Sequence, residues 1–186
     1  MNQAIFTTAE TIRYIHRNTD LNLFIQARTY GEGSNLHRSW RLKDLASDDG
    51  IEAFIQENSD RHVGANIALR RTAAAQYMRN VDAEVLDVLF VDLDVKPGGV
   101  SSKEDAIRFL TEELTFRPSL VVDSGNGVHG YFTLSEPFEI FTDNDRDHAT
   151  ELLRAFGAYV AGEAMEKHGW KIDTVSDLAR IAAVPL

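Results

Sequence analysis

The sequence predicts an α+β protein: a split βαβ sheet with helices packed on it, plus a small α/β part at the N-terminus. Three observations lead there. Between residues 86 and 173, apolar runs of strand length alternate with helix-length stretches in the order β-α-β-β-α-β. The first 80 residues carry shorter segments of both kinds. Apolar residues make up 44% of the 186, enough to fill a core in a chain of this length. Residues 1–80 therefore read as an N-terminal part of the same unit, and 81–186 as the part built on the split sheet.

The elements follow in order. Residues 8–18 form a short amphipathic helix with Ile12 and Ile15 on one side. Leu21 to Ala27 is a strand, and Tyr30 to Ser39, with glycines and polar residues, is a loop. Gly50 to Asn58 is helical, with Ile51, Phe54 and Ile55 at helical spacing, and His62 to Leu69 is a strand. The stretch holding Arg70, Arg71 and Arg79 around Ala73, Ala74 and Ala75 is a helix or an ordered loop. Leu86 to Asp94 is a buried strand, and Lys96 to Val100 is a Pro-Gly-Gly turn. Ser101 or Ser102 caps a helix over 102–115, and Ser102 with Asp105 resembles a capping box with Asp in place of Glu. Ser119 to Asp123 and Val128 to Leu134 are strands on either side of a Gly-Asn-Gly turn. A long helix spans Asp145 to His168, a short strand spans Trp170 to Asp173, and Ser176 to Ala183 begins another helix. This order is that of RRM-like and ferredoxin-like sheets.

Composition excludes several classes. The chain has no cysteine, which removes disulfides, thiolate zinc sites and cysteine-held iron–sulfur centres. It has neither a signal-peptide run nor 18 consecutive apolar residues, so a cytoplasmic protein without membrane contact is expected. The net charge of −10 argues against a protein that coats nucleic acid. Its distribution is uneven: residues 1–80 carry net +1 and residues 81–186 carry net −11. An acidic half suits a cation site or a solvated surface.

Asp92 and Asp94 stand two apart at the end of an apolar strand. Residues at i and i+2 of a strand point to one face, so both carboxylates converge within reach of a common cation. Two bare carboxylates this close repel, and a divalent cation relieves that. Hard oxygen ligands favour Mg²⁺ or Mn²⁺ over zinc. The alternative is two aspartates capping turns in solvent. Asp87 falls outside the face pattern and reads as a surface residue.

In the segment Ser124-Gly125-Asn126-Gly127-Val128-His129, glycines on both sides of Asn126 permit positive φ and expose backbone N–H groups. Such a turn can cradle phosphate oxygens, with His129 on the following strand as a donor. It also reads as a tight hairpin with a satisfied histidine. His16, His37, His62, His148 and His168 read as structural. Asp173 ends the short run Trp170 to Asp173 and offers a third carboxylate from a separate element. Arg180 either pairs with Asp177, three residues before it, or reaches a triphosphate. Arg61, Arg70, Arg71 and Arg79 are solvated or meet phosphates.

Three short motifs in this order resemble the archaeo-eukaryotic primase superfamily, in particular the primase-polymerase catalytic domain of phages and plasmids. They are VLFVDLD with Asp92 and Asp94, GVH with Gly127 and His129, and ID with Asp173. The flanking segments PSLVVDSGNGVHGYFTLSEP and DLARIAAVP are similar to that family as well. The similarity covers residues 86–186; the first 80 match nothing. The Gly-Thr and polar run that often follow the final Pro in that family are absent.

The resemblance implies a template-dependent nucleotidyltransferase, a primase and/or DNA polymerase, in the replication of a phage, plasmid or similar element. Asp92, Asp94 and Asp173 would hold Mg²⁺ or Mn²⁺. Ser124, Asn126, Gly127, His129 and Arg180 would line the nucleoside triphosphate. Basic residues of the first half would meet a nucleic-acid template, most simply DNA. No G-x-x-x-x-G-K-[ST] occurs, so a helicase partner would lie in a further C-terminal region or on a separate chain. The competing readings are a metal-dependent nuclease and a non-catalytic nucleic-acid-binding module. The first lacks the His-hydrophobe-His pair of replication relaxases; for the second, Tyr131 is the one aromatic suited to an RNA-facing sheet.

Overall fold

The computed structural model describes residues 6–30, 36–73 and 75–183. Residues 31–35 of the predicted loop, Ala74 of the basic stretch and the closing 184–186 lie outside the described residues. The chain is a mixed α+β protein with two antiparallel sheets and four α-helices among the described residues. No helix there is long and apolar enough to cross a membrane.

Helix α1 (Thr8–Ile15) begins at Thr7, which forms a reciprocal capping box with Glu10. It buries Ile12 and Ile15, as the spacing predicts. Strands β1 (Phe24–Tyr30), β2 (His37–Arg41) and β3 (His62–Asn66), with helix α2 (Ile51–Glu57) between the last two, make the first sheet. Its order is β2-β1-β3-β7, and the last strand, β7 (Ile181–Ala183), comes from the far end of the chain. Leu23, Ile25, Trp40, Leu42, Ile51 and Phe54 lie in the core under it.

The second sheet holds β4 (Val85–Asp94), β5 (Leu120–Asp123) and β6 (Gly127–Glu139) in the order β4-β6-β5. One face carries Leu89, Val91 and Leu93 with Val128, Gly130 and Phe132, and the helices cover it. The ring of Phe132 meets Phe156 of helix α4 (Asp143–His168) at 4.8 Å. Helix α4 starts at a Thr142–Asp145 capping box and ends at Gly169 in the left-handed conformation, φ 71°. The two sheets are tied by backbone bridges pairing Phe24 with Arg70 and Leu69 with Val85.

Four expectations are corrected. The helix predicted over 102–115 is α3 (Lys103–Arg108), capped by Ser102, followed by a widened turn over Phe109–Glu113. There the Leu114 N–H reaches the Phe109 carbonyl at 3.1 Å, so Phe109, Leu110 and Leu114 all turn into the core. Residues 170–173 form no strand. Trp170 is drawn onto His168 (ring centroids 4.1 Å) and Phe109, and Lys171 makes one backbone hydrogen bond to Gly98 instead of a ladder. The split βαβ order therefore stops at three paired strands.

The helix expected from Ser176 to Ala183 is instead a turn followed by β7. An open edge on β3 overrides helix propensity there. Gly64 makes the pairing possible, since a Cβ at that position would stand 2.3 Å from Ile181 Cγ2 and 2.8 Å from the Ala182 carbonyl. Finally, Asp87 is not a surface residue but is fully buried. The β4–β6 ladder jumps from Leu86–Phe138 to Val88–Thr133, so Asp87 faces a bulge and turns inward. There it meets His16 Nδ1 at 2.7 Å.

Candidate active site at the end of strand β4

The other face of the second sheet runs Val88, Phe90, Asp92, Asp94 along β4; Val88 and Phe90 are buried, and only the end carrying Asp92 and Asp94 opens to solvent. Register pairs Asp92 with His129 and Asp94 with Gly127, so these residues share one end of the sheet. Phe90, His129 and Tyr131 form an aromatic floor, with ring centroids 4.9 Å (Phe90–His129) and 5.3 Å (Phe90–Tyr131) apart. On this floor Asp92 is partly covered, and His129 Nε2 stands 3.5 Å from its Oδ1.

Burial raises Asp92 to about 6, and the charges of Asp94 and Asp173 add to the rise; Arg180 and Lys96 oppose it. The strand period thus delivers the crowding of carboxylates that the sequence predicts. Burial, and then the Asp92 charge, also raise the Tyr131 hydroxyl beneath it and the Tyr30 hydroxyl on β1.

Asp173 reaches this end on an extended segment held by the Lys171–Gly98 hydrogen bond of 2.9 Å. Between it and the strand stands Lys96. Its Nζ is 2.6 Å from Asp173 Oδ2 and 3.6 Å from Asp94 Oδ2, and the hydrogen bond to Asp173 is the main cause raising the Lys96 amine. Sequence reasoning missed Lys96, although Asp92, Asp94 and Lys96 continue one alternating pattern. Among the described residues, no three His, Cys, Asp or Glu side chains are gathered closely enough to form a preset metal cluster. Asp92 and Asp94 share a face, and Asp173 lies across the Lys96 ammonium.

The turn after β5 is folded tightly on itself. Gly125 takes the positive φ, 90°, and Asp123 Oδ1 accepts its N–H at 2.8 Å. Gly127 does a different job from the one the turn chemistry predicts, because a Cβ there would lie 2.1 Å from the Leu93 carbonyl oxygen. It permits close approach of β6 to β4 rather than a left-handed backbone. The Ser124 N–H donates to the Gly127 carbonyl and the Val95 N–H donates to the Asn126 carbonyl, each at 3.1 Å. The N–H groups of Ser124 and Gly125 are therefore used within the turn. Lys103 Nζ, 2.7 Å from Asp123, adds a cation beside it that the sequence did not single out.

Arg180 makes the pair with Asp177, its Nη2 3.2 Å away, and its charge lowers Asp92. Its Nε is buried with no hydrogen-bond partner. The arginines of the basic stretch are engaged elsewhere. Arg70 is buried 3.5 Å from Asp82, Arg79 pairs with Asp82 at 3.0 Å, and Arg71 pairs with Glu84 and Glu139. No family model, no curated protein and no solved structure matches this chain.

Proposed function

We propose that the chain is a template-dependent nucleotidyltransferase of the primase-polymerase kind, with its reaction centre at the exposed end of β4. The observation that carries this reading is the convergence of Asp92 and Asp94 on one face, with Asp173 brought alongside through Lys96.

The donor set fits Mg²⁺ or Mn²⁺. All three ligands are hard carboxylates. Asp92 Oδ1 is buried without a hydrogen-bond partner, and burial first, then the charge of Asp94, raises its carboxyl to about 6, so a bound cation would stabilise its ionised form. The Lys96 ammonium already stands as a cation between Asp94 and Asp173. Asp92, Asp94 and Asp173 would hold the metal, which supplies charge neutralisation at the attacking hydroxyl and the triphosphate.

The chain's own residues do the positioning. His129, packed against Phe90, orients Asp92 from behind. Arg180, its side chain partly exposed, offers charge to the triphosphate. In the reaction a 3′-hydroxyl oxygen bonds to the α-phosphorus, the bond to the β-phosphate oxygen breaks, pyrophosphate leaves and the hydroxyl proton passes to solvent. The three paired strands β4-β6-β5 and the two crossing helices are compatible with an incomplete RRM-like split βαβ sheet.

The test is incorporation of labelled nucleotides on a template with Mg²⁺ or Mn²⁺, with and without primer, beside an Asp92→Ala/Asp94→Ala variant. Incorporation that falls to background in the variant supports the reading, and products made without primer identify a primase. Metal-dependent cleavage of the template without incorporation by the intact chain overturns it in favour of a nuclease.

A further inference from the structure

The first sheet presents a second group of side chains that the carboxylate centre does not use. Register sets Tyr30 opposite His62, and Arg28 opposite both His37 and Gly64. Opposed residues share a face, and so do Arg28 and Tyr30 at i and i+2. The Tyr30 and His62 rings stack with centroids 5.4 Å apart and planes 21° from parallel, and both residues are exposed. Beside them the Arg28 guanidinium lies over the Tyr77 ring at 5.6 Å, and Tyr77 meets the His37 ring at 4.5 Å. Gly64 keeps the sheet low next to Tyr30, since a Cβ there would come 3.3 Å from the tyrosine Cε1.

The charge of this face sets it apart. The chain carries net −10, yet none of these side chains is a carboxylate. Arg70, Arg71 and Arg79 are ion-paired, whereas Arg28 makes no ion pair among the described residues and its buried Nε has no hydrogen-bond partner. An uncompensated guanidinium beside exposed, stacked rings is the chemistry that holds a flexible polyanion with planar bases. Successive bases stack on aromatic rings whatever their identity, and arginine meets the backbone. A duplex buries its base faces, so the ligand is single-stranded.

We infer that this face seats single-stranded nucleic acid, a base stacking on the Tyr30–His62 pair and a neighbouring phosphate meeting Arg28. The identity of that strand as the template rests on the proposed function; its binding here does not.

The experiment is fluorescence anisotropy of labelled oligothymidylate and oligouridylate in EDTA, which separates binding from catalysis. A Tyr30→Ala/His62→Ala variant should bind about tenfold or more weakly, because stacking on the pair is lost. Tyr30→Phe keeps the ring and should stay within about twofold of the parent. Arg28→Gln should weaken binding and reduce the salt slope by roughly one charge. It carries the test if thermal melting shows the double variant to be unfolded. Binding of either strand supports the inference, and the tighter one names the preferred sugar.

Parental affinity in both the double and the Arg28 variants overturns it, as does a parent that binds neither strand. The two readings separate cleanly. Incorporation by a protein whose strand binding ignores Tyr30, His62 and Arg28 sinks this site and leaves nucleotidyl transfer standing. Tyr30-dependent binding without incorporation does the reverse.

Discussion

Asp87 and Asp92 lie five residues apart on the same strand, each beside a histidine. Asp87 is wholly buried and 2.7 Å from His16 Nδ1, at a bulge where α1 closes over the sheet. Asp92 is 3.5 Å from His129 Nε2, keeps 38% of its side chain exposed above the Phe90–His129–Tyr131 floor, and feels the charges of Asp94 and Asp173. The first pair is sealed, and its one short hydrogen bond holds two elements together, while the second oxygen, Asp87 Oδ2, is buried with no hydrogen-bond partner. The second lies at the edge of solvent among like charges, and it stays short of positive charge. Residue type is the same in both. What differs is the short hydrogen bond to the histidine in the first and the crowding by like charges in the second.

The largest effect should come from the sealed pair. His16→Ala leaves the Asp87 carboxylate buried without its partner and should lower stability by about 3–5 kcal/mol, read by urea unfolding. A loss below about 1 kcal/mol would mean that water reaches Asp87 and the contrast fails. Asp87→Asn keeps the shape and weakens one charge-assisted hydrogen bond, with an expected loss of about 1.5–3 kcal/mol.

The same substitution at Asp92 should act in the opposite direction. Its carboxyl is raised from 3.8 to about 6 in the folded chain. The folded state therefore binds the proton more tightly than the unfolded state does. The penalty is absent below about pH 4, grows between about pH 4 and pH 6, and is complete above that range. Asp92→Asn removes it, and should raise stability at pH 7 by about 1–2 kcal/mol once partial exposure is discounted, with no gain at pH 3.5. Mn²⁺ should raise the melting temperature of the parent at pH 7 and leave the variant unmoved. A destabilised Asp92→Asn at neutral pH would show that Asp92 is held by its histidine as Asp87 is.

Much of the second sheet was legible. The run LDVLFVDLD marks a strand nearly end to end because continuous apolar character with period-two carboxylates has few other solutions. The hairpin around Gly125 and a serine cap at Ser101 or Ser102 are local chemistry legible in the sequence, and the cap is Ser102. Asp87 was misread because period two assumes an unbroken ladder, and a bulge in β6 breaks it. Gly127 was located for one reason and used for another: its closeness to Leu93 depends on a strand 34 residues earlier. Lys96 and Tyr30 went unnoticed because each gains meaning only from a neighbour distant in the chain: Asp173 for one, His62 and Asp92 for the other.

By itself the sequence determined the α+β class, the strands that carry Asp92, Asp94 and His129, and the placing of both carboxylates on one face. These follow from hydrophobic period and turn chemistry within about ten residues. Tertiary structure decided the rest. It turned the predicted final helix into β7, because an open edge on β3 and the space left by Gly64 outweigh local propensity. It paired Asp87 with His16 and brought Asp173 to Lys96, since the geometry of long-range pairs is set by packing and not by spacing.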